Sequence, residues 1–137
     1  MKYSKDGFTK EQLAVLAVAE KFLGCIAGRE KETMLSTVLP SGGATLLRNG
    51  EPLFMDLTAV VERIPFDHPQ KLSEIILGQP TVMIDPACEI AMAWTPFEFY
   101  FDDDLHHVGT ASIWSFLKRD GKWMISGLAD NSIAPGA

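Results

Sequence analysis

The chain has 137 residues, of which 47% are hydrophobic and 22% are charged, and its formal net charge at pH 7 is −6. This length suits one domain with a real hydrophobic core, and the composition excludes a disordered chain. The negative charge argues against nucleic acid and anionic membrane surfaces as partners, because both bind to basic faces. We therefore expect residues 1–137 to form a single domain.

Two cysteines and the N-terminal segment bear on the cellular compartment. Cys25 and Cys88 have neither the CxxC spacing nor the spacing of a zinc site. Two buried free thiols in a reducing compartment are favoured, with a nucleophilic cysteine beside a histidine as the alternative. Residues 2–10 lack the apolar stretch of a signal peptide, and the apolar run 13–27 is too short to span a bilayer. We expect a cytoplasmic protein with no membrane partner.

Two helices are predicted near the N-terminus. Thr9 has the pattern of an N-cap, and the helix that follows as far as Gly28 is apolar on nearly every side. Such a helix is expected to be buried on most sides by the rest of the domain. A second, short helix is predicted over residues 29–38, and the Pro-Ser-Gly-Gly sequence at 40–43 is expected to end it.

A small hairpin and a third helix come next. The Asn49-Gly50 pair predicts a type I′ turn between short strands at 44–48 and 53–55. Asp56 is then positioned to cap a helix that ends before Pro65. Capping explains this aspartate fully, so it needs no catalytic role.

The second half of the chain predicts long strands. A strand over residues 71–85 is interrupted at 78–80 by Gly-Gln-Pro, which suits a bulge or bend in a strongly curved strand. Strands at 88–101, 106–117 and 122–128 follow as a meander whose turns are rich in Asp and Gly. Because helices and strands are segregated along the chain, the sequence indicates an α+β fold with helices against one face of a curved antiparallel sheet.

This order of elements resembles the nuclear transport factor 2-like superfamily, which includes ketosteroid isomerases, scytalone dehydratases and SnoaL-like cyclases. Locally, the chain resembles the lumazine-binding branch at W-T-P-F-E-F-Y (94–100), H-V-G-T-A (107–111) and G-K-W-M-I (121–125). Val108 and Ala111 depart from that branch, which has Cys and Asp at these positions. The resemblance implies a cone-shaped antiparallel sheet with three N-terminal helices packed against its concave face. It also implies an apolar pocket at the open end of the cone and a homodimer formed through the outer face of the sheet.

His107 and Asp130 are the candidate catalytic residues. His107 matches the motif position of the branch, and an imidazole near the mouth of an apolar cone can exchange a proton near neutral pH. Asp130 ends the neighbouring strand, where it could orient the imidazole. Each residue also has an ordinary alternative: a histidine that is hydrogen-bonded within the sheet or faces solvent, and an aspartate that terminates its strand.

Five further residues are candidates for ligand binding. Trp94, Glu98 and Tyr100 share one face of a predicted strand, and the pattern leaves open whether that face lines the cone or lies outside it. Glu98 would be a general base on the inner face and would pair with a cation on the outer face. Asn131, at the end of the last strand, and Met55, an adaptable apolar side chain, complete the set.

No metal site is expected. His106 and His107 are adjacent in a predicted strand, so their side chains should point to opposite faces, and the three aspartates at 102–104 suit a solvated turn. Arg48 is interpreted as a surface residue beside a turn, with an anion clamp as the alternative.

The sequence therefore predicts a homodimeric protein that binds a small, apolar or polycyclic molecule. If it is an enzyme, the resemblance implies cofactor-free isomerisation, cyclisation or dehydration by general acid/base catalysis. The alternative is a non-catalytic ligand-binding or dimerisation module. The sequence contains no phosphate-binding loop, dinucleotide fingerprint or nucleophile elbow that would support another class of enzyme, and we expect no cofactor.

Overall fold

The computed structural model describes residues 3–135, in which three helices and nine strands are formed. The helices are α1 (Lys10–Gly28), α2 (Lys31–Leu35) and α3 (Leu57–Glu62). The strands are β1 (Val38–Arg48), β2 (Glu51–Asp56), β3 (Leu72–Ile76), β4 (Thr81–Ile84), β5 (Ile90–Trp94), β6 (Phe97–Phe101), β7 (Asp104–Gly109), β8 (Ser112–Arg119) and β9 (Lys122–Ser132).

Helix α1 begins at the predicted cap. The Thr9 hydroxyl accepts a hydrogen bond from the Gln12 amide N–H at 3.1 Å, and the Gln12 side-chain oxygen accepts one from the Thr9 amide at 2.8 Å. This reciprocal pair is a capping box, which satisfies two amides that the helix itself cannot bond. At the other end Arg29 adopts a left-handed conformation with φ of 55°. As predicted, α1 is buried on most sides, because it packs against strands of both sheets.

The second helix is shorter than predicted, and the strand after it begins earlier. Helix α2 covers only Lys31–Leu35, and β1 already starts at Val38. The Pro-Ser-Gly-Gly sequence at 40–43 therefore lies inside a strand, where a shift of register marks a bulge between Val38 and Gly43. A side chain at Gly42 would come within 2.3 Å of the Ser126 carbonyl oxygen, so glycine is what allows β1 to approach β9 here.

The predicted hairpin and the cap of the third helix are confirmed. Asn49 and Gly50 both have positive φ, 52° and 81°, as a type I′ turn between β1 and β2 requires. The Asp56 carboxylate accepts a hydrogen bond from the Ala59 amide at 2.7 Å and so caps α3.

The strands form two sheets, and the larger one is mixed. Its order is β2-β1-β9-β8-β5-β4, whereas β3, β6 and β7 form the smaller sheet in the order β3-β6-β7. The α+β prediction is confirmed, but the sheet is not wholly antiparallel, because β1 and β9 pair in parallel. No hairpin joins these two strands, so nothing in the connection forces them to run in opposite directions.

The long predicted strands are divided where the chain passes from one sheet to the other. The predicted strand 88–101 breaks at Thr95-Pro96 into β5 and β6, and the strand 106–117 breaks at Thr110-Ala111 into β7 and β8. The Gly-Gln-Pro sequence at 78–80 similarly separates β3 from β4, which belong to different sheets. The predicted curvature is therefore concentrated at these corners.

Thr95 holds one corner together. Its backbone exchanges hydrogen bonds of 2.9 and 2.8 Å with that of Ser112, and its hydroxyl accepts one at 2.9 Å from the Trp114 indole N–H. The Trp114 ring stacks on Phe116 and meets the edge of Phe22 from α1. The core thus fills the angle between α1 and the larger sheet.

Two further expectations concern the cysteines and the membrane. Both cysteines are free thiols, with Cys25 buried and Cys88 partly buried. Within the described part of the chain, no helix is both long enough and apolar enough to cross a membrane.

Candidate functional site

A cavity of about 170 Å³ lies between the two sheets, beside α1 and α3. Its wall is largely apolar and aromatic, and its principal apolar residues are Phe22, Leu23, Leu46, Phe97, Phe99 and Trp114. Six residues with polar side chains also line it: Arg48, Arg63, Glu74, His107, Ser112 and Asp130. A cavity of about 150 Å³ holds one benzene ring, so this space suits a ligand with a single ring.

Strand pairing in the smaller sheet places three of the lining residues in one row. Glu74 on β3 is the partner of Phe99 on β6, and Phe99 is the partner of His107 on β7. Paired residues share a face of a sheet, so this row presents a carboxyl group, a phenyl ring and an imidazole to the cavity.

A second row comes from the larger sheet. Asp130 on β9 is paired with Leu46 on β1 and with Ser112 on β8. Arg48 lies two residues beyond Leu46, and therefore on the same face of β1. This row lines the same cavity as the row on the smaller sheet.

Arg48 and Asp130 form an ion pair on the cavity wall. Arg48 Nη1 donates a hydrogen bond to Asp130 Oδ1 at 2.6 Å, and the two side chains are 32% and 11% exposed. Burial raises the pKa of Asp130, while the hydrogen bond and charge of Arg48 oppose that rise. Arg48 is therefore a cavity residue rather than the surface residue that its position beside a turn suggested.

His107 lines the cavity, but its imidazole is held by aromatic rings and by another histidine. It stacks on Phe99 with ring centroids 4.7 Å apart, and its Nδ1 lies 2.9 Å from Nδ1 of His106. Burial, followed by the charges of His106 and Arg48, lowers the pKa of His107 to about 4, so the ring is neutral at pH 7. Within residues 3–135 no hydrogen bond joins His107 to Asp130, whose carboxylate is bonded to Arg48 instead.

The expectation that His106 and His107 point to opposite faces is wrong. The ladder between β6 and β7 passes from Phe99–His107 to Tyr100–Leu105, which leaves His106 as the extra residue of a bulge. A bulge breaks the strict alternation of side chains, so the two imidazoles meet. No group of three or more His, Cys, Asp or Glu residues in the described range is arranged to hold a metal ion.

Glu74 is the titratable residue that sequence reasoning missed. Its carboxyl group is partly buried and makes no hydrogen bond to any other residue between 3 and 135. Burial, followed by the negative charge of Asp130, raises the pKa of Glu74 to about 8, although Arg48 acts in the opposite direction. This carboxyl group is therefore largely protonated at pH 7. One signal was available, because Glu74 lies midway between Leu72 and Ile76 on the inward face of β3.

Ser112 also presents an unused polar group to the cavity. The residue is 1% exposed, and its Oγ has no hydrogen-bond partner in the part of the chain that the structure describes. Buried hydroxyl groups are normally paired, so an unpaired one on a cavity wall is suited to bind a ligand or an ordered water.

The five predicted binding residues lie outside the cavity wall. Glu98 and Tyr100 are on the opposite face of β6 from Phe99, where the tyrosine hydroxyl donates to the Glu98 carboxylate at 2.6 Å. Asn131 bonds the Thr110 hydroxyl at 2.7 Å and the Ala111 amide at 3.3 Å, which fixes the corner between β7 and β8. The remaining two are Trp94, which is 42% exposed, and Met55, which packs against the core from β2.

Comparison with protein-family models finds no match, and no curated protein matches in sequence. Solved structures, however, share the fold. An NTF2-like protein with a cystatin-like fold from Novosphingobium aromaticivorans has a TM-score of 0.70 at 13% identity, covering 93% of this chain and 83% of its own. An NTF-2-like protein of unknown function from Silicibacter pomeroyi has a TM-score of 0.68 at 14% identity, with coverage of 88% and 94%.

A third similar structure, from Nostoc punctiforme, is a protein of unknown function with a cystatin-like fold. It has a TM-score of 0.67 at 13% identity and covers 90% of this chain and 91% of its own. Sequence identities this low show a common fold and nothing about a common activity. The cone-shaped α+β architecture is thus confirmed, and the chain has the nuclear transport factor 2-like fold.

Proposed function

We propose that this protein binds a small, mostly apolar molecule in the cavity between its two sheets. The observation that carries the proposal is the convergence of a few polar groups in an otherwise apolar cavity, which is typical of small-molecule sites. The volume of about 170 Å³ narrows the predicted ligand class from polycyclic molecules to those with one ring.

We further propose that the bound molecule undergoes general acid/base chemistry in which Glu74 carries the proton. A proton carrier works best when its pKa lies near the working pH, and the pKa of about 8 for Glu74 meets this condition. The pKa of about 4 for His107 suits this role less well, so in our proposal His107 forms part of the aromatic wall. Isomerisation, cyclisation and dehydration without a cofactor are the reactions that such a site supports. The alternative is binding without catalysis.

Filling the cavity tests the binding proposal. Leu128→Trp places a large ring at the cavity wall, and Leu105→Trp is the matched control because Leu105 is exposed and lies outside that wall. In a ligand-observed NMR screen of single-ring compounds, we expect hits for the wild type and the control but none for Leu128→Trp. Equal binding by both variants would place the ligand elsewhere and contradict the proposal.

We also propose that the protein forms a homodimer through the outer face of the larger sheet. Large apolar side chains are exposed on neighbouring strands of this face, notably Met83 (61%), Ile90 (53%), Trp94 (42%) and Ile113 (40%). Contiguous exposed apolar surface commonly marks an interface between proteins. Size-exclusion chromatography with light scattering tests this proposal, and we expect twice the chain mass of 15.1 kDa.

A further inference from the structure

We infer that the ligand of this cavity is a small monocarboxylate, whose anionic end is bound by Arg48 and Arg63 and whose apolar body lies against the aromatic wall. The inference rests on the proposed function and specifies its ligand class.

The cavity has an excess of positive charge, although the whole chain is acidic. The guanidinium groups of Arg48 and Arg63 both line the cavity, and the Asp130 carboxylate is paired with Arg48. Glu74 is largely protonated and His107 is neutral at this pH, so neither alters the balance. One positive charge, that of the exposed Arg63, thus lines the cavity without a bonded carboxylate, in a protein whose net charge is −6. An anion in the cavity would neutralise it.

The hydrogen-bonding groups of the cavity favour the same ligand. Arg63 is exposed to solvent on the rim of the cavity, and its guanidinium forms no ion pair or hydrogen bond with any described side chain. It is nevertheless close enough to the cavity to oppose the rise in the pKa of Asp130. The Ser112 hydroxyl and the protonated Glu74 carboxyl are further groups that can donate. A ligand that accepts several hydrogen bonds matches these donors.

A carboxylate satisfies these demands better than other anions or a neutral group. Its single charge equals the uncompensated charge of the cavity, whereas a phosphate dianion would exceed it. Guanidinium groups bind carboxylates through paired hydrogen bonds, which gives direction as well as attraction. An uncharged carbonyl or hydroxyl group would gain no charge attraction from Arg48 or Arg63.

The ligand must also carry a compact apolar body. Phe97, Phe99 and Trp114 supply flat aromatic surface, and the volume admits about one ring. Benzoate and benzyl alcohol are therefore suitable probes, because they have the same ring and nearly the same size but differ in charge.

Isothermal titration calorimetry at pH 7 and low salt, using both probes, tests the inference. We expect benzoate to bind the wild type tighter by on the order of tenfold or more, which is what a charge-assisted hydrogen bond contributes. Arg63→Gln should remove this preference while benzyl alcohol binds as before. Arg119→Gln, a change of the same charge at the end of β8 and away from the cavity, should leave the preference intact.

The pH dependence gives an independent readout. Ionisation of Glu74 above about pH 8 adds a negative charge to the cavity, so benzoate affinity should fall between pH 7 and 9 in the wild type and much less in Glu74→Gln. Equal affinities for the two probes in the wild type, or a preference that survives Arg63→Gln, would overturn the inference and leave the proposed function standing. Binding of neither probe nor of any other single-ring compound would overturn both.

Discussion

Arg48 and Asp130 form an ion pair, with Nη1 and Oδ1 2.6 Å apart, on the wall of the cavity between the two sheets. They are 82 residues apart in sequence and meet because β1 and β9 pair in parallel. The pair engages the carboxylate of the aspartate that the sequence predicted to orient His107. It also leaves Glu74, opposite, as the one lining carboxyl group without a bonded cation.

Breaking this pair should destabilise the protein. Asp130→Asn leaves the partly buried guanidinium of Arg48 without a charged partner, and we expect the free energy of unfolding at pH 7 to fall by about 1–3 kcal/mol. Glu62→Gln is the control, because it removes an ion pair with Lys31 whose side chains are 50% and 41% exposed. Such an exposed pair contributes at most about 1 kcal/mol. Equal losses in urea denaturation would show that the Arg48–Asp130 pair has no special structural role.

Glu74 should make the fold less stable at alkaline pH. Between the ordinary pKa of 4.5 and the folded-state value of about 8, the unfolded chain has lost this proton and the folded chain has kept it. The free energy of unfolding therefore falls as pH rises through this window, and the loss is complete above about pH 8. Glu74→Gln should remove this slope, so that the variant exceeds the wild type in stability by more at pH 9 than at pH 5. Parallel stability curves for the two proteins would contradict the raised pKa.

His107 should have the opposite effect at acid pH. Its pKa falls from 6.5 to about 4 on folding, so between these values the unfolded chain binds a proton that the folded chain does not. The free energy of unfolding falls as pH decreases through this window. We expect His107→Gln to lose less stability than the wild type between pH 6.5 and 4. An NMR titration of the His107 ring gives the direct check, and a midpoint near 6.5 would refute the argument.

The outer face of the larger sheet should control association. Ile113 is 40% exposed there and is paired with Trp94 on the neighbouring strand. Ile113→Lys places a charge in the proposed dimer interface, where an unpaired charge is costly to bury. We expect this variant to elute as a folded monomer, whereas Leu105→Lys, an equally drastic change outside this face, should remain dimeric. A wild type that is monomeric at micromolar concentration would contradict the dimer.

Local patterns in the sequence predicted the elements they control directly. The cap at Thr9, the turn at Asn49-Gly50 and the cap at Asp56 each depend on one side chain or one backbone conformation, and all three are present. The order of helices and strands was likewise sufficient to predict the α+β class. The prediction that residues 40–43 end a helix was wrong, because Pro40 and the glycines after it lie at a bulge inside β1.

The candidate site was harder to predict because it depends on contacts between distant strands. The pairing of β1 with β9 brings Arg48 to Asp130, and nothing near either residue signals that they meet. The division of the strand 88–101 at Thr95-Pro96 decides which side chains of β6 face inward, and alternation alone left that question open. Glu74 was also missed, although its place between Leu72 and Ile76 was a local signal of an inward-facing carboxyl group.

The most direct test is a crystal structure of the protein with whichever of benzoate and benzyl alcohol binds more tightly. We expect the ring to lie between the two sheets, in contact with Phe99 and Trp114. We expect a ligand oxygen within hydrogen-bond distance of one of the polar lining residues Arg48, Arg63, Glu74 and Ser112. A ring bound instead at the apolar depression on the outer face, beside Met83 and Ile90, with the inner cavity empty, would contradict it.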